Sequence, residues 1–262
     1  MPSVRVNNKQ ISYWEGKDEE QAGRETILFI HGAGGGQFTW SFQKRFFERH
    51  AHPIVIELPG HGESGGDGEE DIGRYAEHVH SFMKTLNLPK TFLVGHSMGG
   101  AIVQTLALGS PEGVRGIVLV GTGARLRVLP TLLEGIKHNF TETVFAMTRY
   151  AFSRKAPEQF IEKGIDQLMQ VRPEVLYGDF LACDRFDLMK EVEKIQVPAL
   201  IVCGDEDEMT PAKYSQYLHD RIKGSRLEVL PRAGHMVMME SAEAFNERVK
   251  GFVKNSVSSR NR

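Results

Sequence analysis

The stretch that decides the predicted fold is Leu93-Val94-Gly95-His96-Ser97-Met98-Gly99-Gly100. A short apolar run typical of a strand leads into a G-x-S-x-G motif, and the run 101–108 that follows has helical patterning. Gly95 and Gly99 are expected because a strand and a helix that approach this closely leave no room for side chains. The pattern predicts that Ser97 lies on a tight, strained turn with its hydroxyl exposed as a nucleophile. The amide of Met98, at the start of the helix, would face a developing negative charge.

Strand-like and helical runs alternate through most of the 262 residues. This alternation predicts an α/β fold, a mainly parallel sheet with helices on both faces, opened by an antiparallel hairpin at 4–14. The run Thr26–Ile30 is almost wholly apolar, as expected of a strand that is covered on both faces. Further strands are expected at 53–58, 91–94, 116–120, 199–203 and 227–230. Helices are expected at 39–49, 72–86, 97–108, 211–222 and 241–253.

One segment, 124–195, breaks the alternation. It contains no convincing strand, and its helix-like pieces are interrupted at Pro130, Pro157 and Pro173. Because unstructured connections longer than ~15 residues are uncommon, we interpret 124–195 as a helical lid inserted between two core strands. Residues 1–123 and 196–262 then form the core of the same domain. The alternative is that 124–195 forms two extra helices that pack on the sheet and are joined by long loops. A lid in this place would cover the carboxyl ends of the strands, where open α/β sheets bind ligands.

A glycine-rich loop, His31-Gly32-Ala33-Gly34-Gly35-Gly36, follows the first long strand. Such a loop lets backbone amides turn inward toward a developing negative charge. A phosphate-binding loop is the rival interpretation, but no Gly-Lys-Ser/Thr follows and no dinucleotide motif fits. We therefore expect the amides of Ala33 and Met98 to form an oxyanion hole. The residues expected to support it are His31, Gly32, Gly95 and Gly99.

His235 is the candidate general base. It lies in a loop after the last predicted strand, at the same edge of the sheet as Ser97. An imidazole is the side chain suited to accept the serine proton at neutral pH. His31, His61 and His96 also fall at strand ends, but each belongs to another loop motif. No pair among these histidines has the i, i+4 spacing of a helical metal site, so no metal is expected.

Four consecutive acids, residues 205–208, follow the strand at 199–203. One of them is needed to hold the imidazole in a single tautomer and to stabilise the imidazolium. Asp205 comes directly after the strand, so its carboxylate is expected to bond backbone amides in the turn. Asp207 lies two residues further toward the histidine loop and is the preferred candidate, with Asp205 as the alternative. Glu206 and Glu208 are expected to face solvent.

The order nucleophile, acid, histidine resembles the α/β-hydrolase superfamily, in its lid-bearing serine esterase and lipase-like branch. Asp207 matches the family's G-x-x-D position, and Glu57-Leu58-Pro59-Gly60-His61-Gly62-Glu63-Ser64 is similar to its D-x-P-G-x-G-x-S loop. Two positions depart from the family pattern. Glu57 replaces the usual Asp, and Ser241-Ala242 replaces the Pro that often follows the Glu after the histidine. Both concern loop geometry, so the resemblance still implies a Ser-His-Asp triad.

The resemblance implies hydrolysis of a carboxylic ester through an acyl-enzyme, with no cofactor. Thioesterases and C–C bond hydrolases share the fold and are the alternatives within this class. A ligand-sensing receptor that retains the triad is the alternative from another class. Dehalogenases and epoxide hydrolases of the family use Asp as the nucleophile, so Ser97 argues against both. The expected partner is a small, hydrophobic acyl substrate.

Composition limits the other partners. The formal net charge is −2, so no electrostatic argument favours nucleic acid or an anionic membrane. Two cysteines are too few for a disulfide framework, and no apolar stretch approaches ~18 residues. No apolar targeting segment follows Met1. A cytoplasmic protein without a stable membrane anchor is therefore expected, and the sequence assigns no oligomeric state.

Overall fold

The computed structural model of the chain describes residues 1–16 and 23–258. Within these residues, eight strands form one sheet. The strands are β1 (Ser3–Val6), β2 (Lys9–Glu15), β3 (Thr26–Ile30), β4 (His52–Ile56), β5 (Thr91–His96), β6 (Val114–Val120), β7 (Ala199–Gly204) and β8 (Arg226–Leu230). Their order in the sheet is β1-β2-β4-β3-β5-β6-β7-β8. Strand β2 is antiparallel to both of its neighbours, and the remaining pairs are parallel.

Helices cover both faces of the sheet. The helices are α1 (Ser41–Phe47), α2 (Ile72–Thr85), α3 (Met98–Gly109), α4 (Pro130–His138), α5 (Phe140–Ala151), α6 (Glu158–Leu168), α7 (Pro173–Arg185), α8 (Ala212–Arg221), α9 (Val237–Glu240) and α10 (Ala242–Ser258). Side chains alternate along β3, so that Leu28 and Ile30 pack toward α2, α3 and α8, whereas Ile27 and Phe29 pack toward α1, α9 and α10. All five residues of β3 are buried, as its apolar sequence predicts.

The winding of the sheet reverses at β3. The chain passes from β3 to β4 on one side, and β5 then pairs with β3 on the other side. The register places Ile30 opposite Gly95, so the loop after β3 and the turn after β5 leave the sheet side by side. In open α/β sheets, ligands bind at such a switch point, beyond the carboxyl ends of the strands.

Helices α4 to α7 lie between β6 and β7. We refer to residues 124–195 as the helical insertion. Among its described residues, the β-type pairing is limited to an isolated bridge between Arg125 and Asp187. The insertion has its own apolar cluster, against which Ala33 of the glycine-rich loop packs. The buried members of this cluster are Ile136, Val144, Met147, Leu176 and Phe180.

The predicted α/β architecture is confirmed, and the differences concern the ends of elements. Strand β5 continues to His96, beyond the expected end at 94, because its pairing with β6 persists to Val120. The hairpin turns at Asn7 and Asn8, whose φ angles of 47° and 64° suit the twist of a two-residue hairpin. Residues 17–22 and 259–262, which belong to the predicted core ranges, lie outside the described residues.

The two cysteines are buried and free. Burial raises the pKa of the thiols of Cys183 and Cys203, so neither is favoured as a thiolate at neutral pH. No helix in the described part of the chain is both long and apolar enough to cross a bilayer.

Close contact between backbones at Gly99 yields a stability prediction. A Cβ on Gly99 would lie 2.3 Å from the carbonyl oxygen of Ile30, whereas a Cβ on Gly109, at the other end of α3, would meet nothing within 4 Å. Gly99→Ala should lower the free energy of unfolding by about 1–3 kcal/mol. Gly109→Ala, the matched control, should be neutral or slightly stabilising, because alanine favours helix. Urea denaturation measures both, and equal stabilities would contradict the contact.

Candidate active site

Ser97 lies between β5 and α3 in a backbone conformation that residues with side chains rarely adopt. Its φ is 53° and its ψ is −115°, and such strain persists only where the surrounding structure enforces it. The Ser97 amide donates to the carbonyl of Val120 at 2.9 Å, and the Ser97 carbonyl accepts from the Thr122 hydroxyl at 2.9 Å. A Cβ on Gly95 would lie 2.2 Å from the carbonyl oxygen of Gly99, so the turn requires glycine there. The predicted strained turn is present, and Ser97 stays only half-buried.

The structure brings His235 and Asp207 together. Both side chains are buried, and Nδ1 of His235 donates to Oδ2 of Asp207 at 2.9 Å. Burial alone would raise the pKa of Asp207, but the His235 imidazole and the hydrogen bonds from Thr210 outweigh it and hold that pKa below its ordinary value. The ionised carboxylate therefore keeps the imidazole proton on Nδ1, which leaves Nε2 as an acceptor.

Thr210 is a member of this site that the sequence analysis missed. Its hydroxyl donates to Oδ2 of Asp207 at 2.8 Å and lies 3.2 Å from Nδ1 of His235. Its amide donates to Oδ1 of Asp207, also at 2.8 Å. The D-x-x-T spacing was the available signal, because an Asp side chain commonly accepts bonds from backbone amides two or three residues ahead.

The neighbouring acids have other contacts. Asp205 is exposed, and its Oδ1 accepts from the amide of Arg232 at 2.6 Å. It bonds a backbone amide as expected, but one in the histidine loop rather than in its own turn. Glu208 is exposed, as expected. Glu206 is partly exposed, and its carboxylate accepts from the amide of Arg154 at 3.2 Å, because the helical insertion lies against the loop at 205–208.

The glycine-rich loop is held so that the direction of the Ala33 amide is defined. The carbonyl of Gly32 accepts from Nδ1 of His31 at 2.8 Å and from the amide of Gly35 at 3.0 Å. Because the C=O and N–H of a trans peptide point in opposite directions, these bonds orient the N–H of Ala33. A Cβ on Gly32 would lie 3.1 Å from Cβ of Ser97, so the glycine-rich loop contacts the turn that carries Ser97. Met98 is the first residue of α3, and its amide has no acceptor within the helix.

Two buried neutral histidines support these loops. Nε2 of His31 accepts from the amide of Leu58 at 3.0 Å. Nε2 of His96 donates to the carbonyl of His235 at 3.1 Å, and the two rings lie 4.6 Å apart. Burial, with a second imidazole nearby in each case, lowers the pKa of His31 and of His96 to about 3. Each histidine is therefore uncharged at neutral pH and acts through one defined tautomer.

The helical insertion also holds the histidine loop in place. The carbonyl of Ala151, at the end of α5, accepts from the amides of His235 at 2.9 Å and Met236 at 3.2 Å. The carboxylate of Glu240 accepts from the amides of Ser153 and Gly234, each at 2.9 Å. Glu240 thus joins the insertion to the residue before His235. Sequence reasoning gave Glu240 no contact with the insertion, because Ser153 lies 87 residues away in the chain.

Ser97 and His235 line a cavity of about 750 Å³, and the glycine-rich loop forms part of the same wall. The insertion contributes both apolar and polar side chains to the wall. The large apolar ones include Met147, Phe152, Leu168 and Phe180, and the polar ones are Thr148, Gln167, Gln170 and Arg172. Asp207 lies behind His235, away from the cavity. Within residues 1–16 and 23–258, no group of three or more His, Cys, Asp or Glu side chains is arranged to hold a metal ion.

Glu57, one of the two departures from the family pattern, is among the residues that line this cavity. Its side chain is buried, and Oε2 accepts from the amide of Glu63 at 2.9 Å. Its carbonyl accepts from the Ser64 hydroxyl at 2.7 Å. Burial raises the pKa of Glu57, and the bond from Glu63 opposes that rise. A Cβ on Gly62 would lie 2.2 Å from Oε1 of Glu57. The glycine at position 62 therefore leaves room for the Glu57 side chain, which is longer than the Asp usual in the family.

The alpha/beta hydrolase family model matches residues 27–248 of this chain. The matched range contains Ser97, Asp207 and His235, together with the glycine-rich loop. The chain belongs to the alpha/beta hydrolase family. This membership agrees with the mostly parallel eight-stranded sheet, and the resemblance drawn from the sequence motifs is confirmed at the level of the superfamily.

Individual relatives differ in what they hydrolyse. A pimeloyl-[acyl-carrier protein] methyl ester esterase of Neisseria meningitidis is 30% identical over 243 residues, which are 87% of this chain and 92% of that protein. A 2-hydroxy-6-oxo-6-phenylhexa-2,4-dienoate hydrolase of Burkholderia cepacia is 27% identical across 96% of both proteins. A thermophilic esterase of known structure is 36% identical, with a TM-score of 0.84 over 97% of both chains. The chain spans only 64% of a 29% identical dihydrolipoyllysine-residue acetyltransferase component from Pseudomonas putida.

The contacts of Asp207 and Asp205 yield opposite expectations for their Asn variants. Asp207→Asn should keep the fold but lose the preferred His235 tautomer, which lowers kcat by a factor on the order of 10³ to 10⁴. Asp205→Asn, the matched control, should keep kcat within roughly tenfold, because it weakens one hydrogen bond worth ~1 kcal/mol. Ester turnover per folded molecule measures both. The reverse pattern would make Asp205 the partner of His235.

His96 yields a prediction for stability against pH. Below about pH 6.5 the unfolded chain protonates this imidazole, whereas the folded chain leaves it neutral down to about pH 3. Unfolding then takes up a proton, so stability falls as pH drops through that window, by up to about 1.4 kcal/mol per pH unit. His96→Gln should flatten the slope by that amount in urea titrations from pH 6 to 4. His138→Gln, at an exposed histidine, is the matched control, and equal slopes in the two variants would argue against a buried neutral His96.

Proposed function

We propose that this protein is a serine hydrolase that cleaves a carboxylic ester of a small, hydrophobic acyl substrate. The observation that carries the proposal is that Ser97 shares a cavity with His235, whose Nδ1 is bonded to the buried Asp207. A strained serine, an oriented imidazole and a buried acid are the parts that nucleophilic acyl transfer requires. The esterase relatives support the choice of an ester.

The proposed reaction has two stages, acylation of Ser97 and hydrolysis of the acyl-enzyme. Oγ of Ser97 attacks the acyl carbon while Nε2 of His235 takes the serine proton, and the amides of Ala33 and Met98 donate to the oxyanion. The intermediate collapses, the alcohol leaves with the proton from His235, and an acyl-enzyme remains. Water then loses a proton to His235 and attacks the same carbon. Collapse of the second intermediate returns the proton to Ser97 and releases the carboxylic acid.

In this proposal the helical insertion acts as the lid over the acyl chain. It contributes large apolar side chains to the cavity wall, among them Met147, Phe152, Leu168 and Phe180, beside the polar Thr148, Gln167, Gln170 and Arg172. Apolar walls with a few polar groups are typical of pockets for small molecules. Flexible Met and Leu side chains adapt to acyl chains of different shape. The carboxyl ends of β3 and β5 lie beneath it, at the topological switch point.

Covalent labelling tests the proposed nucleophile. A fluorophosphonate probe should label the protein once, on Ser97, and Ser97→Ala should abolish both labelling and ester turnover, because the alanine has no hydroxyl to attack. Ser110→Ala, at the other end of α3, is the matched control and should behave as wild type. Mass spectrometry locates the label. A label at another serine, or undiminished turnover by Ser97→Ala, would remove the proposal.

Kinetics on matched substrates then separate the ester from its alternatives. A panel of aryl esters and thioesters with graded acyl chains is run beside a 2-hydroxy-6-oxo-dienoate, the substrate type named for the Burkholderia cepacia relative. The proposal expects the largest kcat/KM for an ester. A larger value for the thioester or the dienoate would instead identify a thioesterase or a C–C bond hydrolase. Strong ligand-induced thermal stabilisation with negligible turnover of every substrate would identify a receptor.

A further inference from the structure

Asp179, on helix α7 of the helical insertion, is a buried carboxylate outside the proposed triad. Its exposed fraction is 0%, so its charge has no solvent to stabilise it. Three donors from three other segments converge on it. Oδ2 accepts from the amide of Gly34 and from Nε2 of His61, each at 2.8 Å. Oδ1 accepts from the hydroxyl of Tyr75 at 2.5 Å.

The hydrogen bond from the amide of Gly34 to Asp179 holds the glycine-rich loop in place. Gly34 directly follows Ala33, so the bond fixes the Ala33–Gly34 peptide, while the bonds to the Gly32 carbonyl fix the Gly32–Ala33 peptide. With both peptides fixed, the N–H of Ala33 has one direction. Gly34 has φ 62°, and a Cβ there would lie 2.5 Å from the side chain of Leu168 and 2.6 Å from that of Leu176. The insertion thus holds Gly34 by one hydrogen bond and by packing.

The other two donors hold Asp179 itself. Nδ1 of His61 donates to the carbonyl of Pro59 at 3.0 Å, so both ring nitrogens of His61 act as donors and the ring is an imidazolium. Burial alone would lower the pKa of His61, but the charge and hydrogen bond of Asp179 outweigh it and raise that pKa. The oxygen of Tyr75 accepts from the amide of Glu69 at 2.9 Å. The carboxylate of Asp179 is therefore held as a fixed acceptor for the amide of Gly34.

We infer that Asp179 is a positioning residue for the oxyanion hole, through which the helical insertion sets the direction of the Ala33 amide. The inference rests on the proposed function, since it concerns the amide that would bind the oxyanion. Oxyanion stabilisation depends on donors that are already aligned before charge develops. Release of Gly34 should therefore slow acyl transfer while binding of the ester changes little.

The test compares two replacements of Asp179. Asp179→Asn keeps an oxygen that can accept from the amide of Gly34, so kcat should stay within about threefold of wild type. Asp179→Ala removes the acceptor, and kcat should fall roughly tenfold to hundredfold with KM nearly unchanged. Asp184→Ala is the matched control, because Asp184 also lies on α7 but accepts from Val128 within the insertion. Its kcat should match wild type.

A second readout distinguishes positioning of the oxyanion hole from a general loss of structure. A thionoester develops charge on sulfur, which accepts hydrogen bonds weakly, so the hole contributes less to its turnover. The ratio of ester to thionoester kcat should therefore fall about tenfold in Asp179→Ala and stay at the wild-type value in Asp184→Ala. The end point of fluorophosphonate labelling gives the concentration of active sites. Dividing the rate by this concentration excludes unfolded protein from kcat. If Asp179→Ala is recovered unfolded, Asp179→Ser takes its place.

The outcomes separate this inference from the proposed function. If wild type is labelled at Ser97 and hydrolyses esters, but Asp179→Ala keeps the wild-type kcat and ester-to-thionoester ratio, the inference alone is overturned. It is also overturned if the kcat loss comes with an unchanged ratio, or if Ala, Ser and Asn at this position all prevent folding, because Asp179 is then only a core residue. Absence of Ser97 labelling in wild type would instead remove the proposed function.

Discussion

At Ser97 a strand, a helix and the end of a neighbouring strand come into direct backbone contact. A Cβ on Gly95 would lie 2.2 Å from the carbonyl oxygen of Gly99, and one on Gly99 would lie 2.3 Å from that of Ile30. This contact holds Ser97 at φ 53°, and it also sets the glycine-rich loop beside the start of α3. The candidate site depends on it, because both loops that reach Ser97 leave the sheet at β3 and β5, the topological switch point.

The helical insertion contributes more than a wall to the cavity. It bonds the histidine loop through the carbonyl of Ala151 and through Glu240, and it bonds the glycine-rich loop through Asp179. Loops have few contacts of their own and are ordinarily mobile. Here two loops that meet at the candidate site donate to acceptors of the same helical segment, the carbonyl of Ala151 and the carboxylate of Asp179. The orientation of their amides therefore depends on how the insertion packs on the core.

Two buried acids of the site are each bonded to an imidazole. Asp207 accepts from Nδ1 of His235, and Asp179 accepts from Nε2 of His61. His31 and His96, which contact the same loops, stay neutral because burial lowers the pKa of each to about 3. A buried charge without a partner is costly, whereas a neutral imidazole supplies one donor and one acceptor. Each of these two buried carboxylates thus has an imidazole N–H fixed beside it as a hydrogen-bond donor.

The sequence by itself determined the alternating α/β plan, the elbow at Ser97, the loop of Ala33 and the choice of Asp207 and His235 as candidates. Each of these has a local signal, either a periodicity or a glycine spacing within about ten residues. Only the tertiary structure decided that Glu206 bonds Arg154, that Glu240 joins Ser153 to Gly234, and that Asp179 accepts from Gly34. Except for the bond between Gly234 and Glu240, which lie 6 positions apart, these contacts join residues between 52 and 145 positions apart. No local pattern encodes such partners, because they become neighbours only when the insertion packs over the carboxyl ends of the strands.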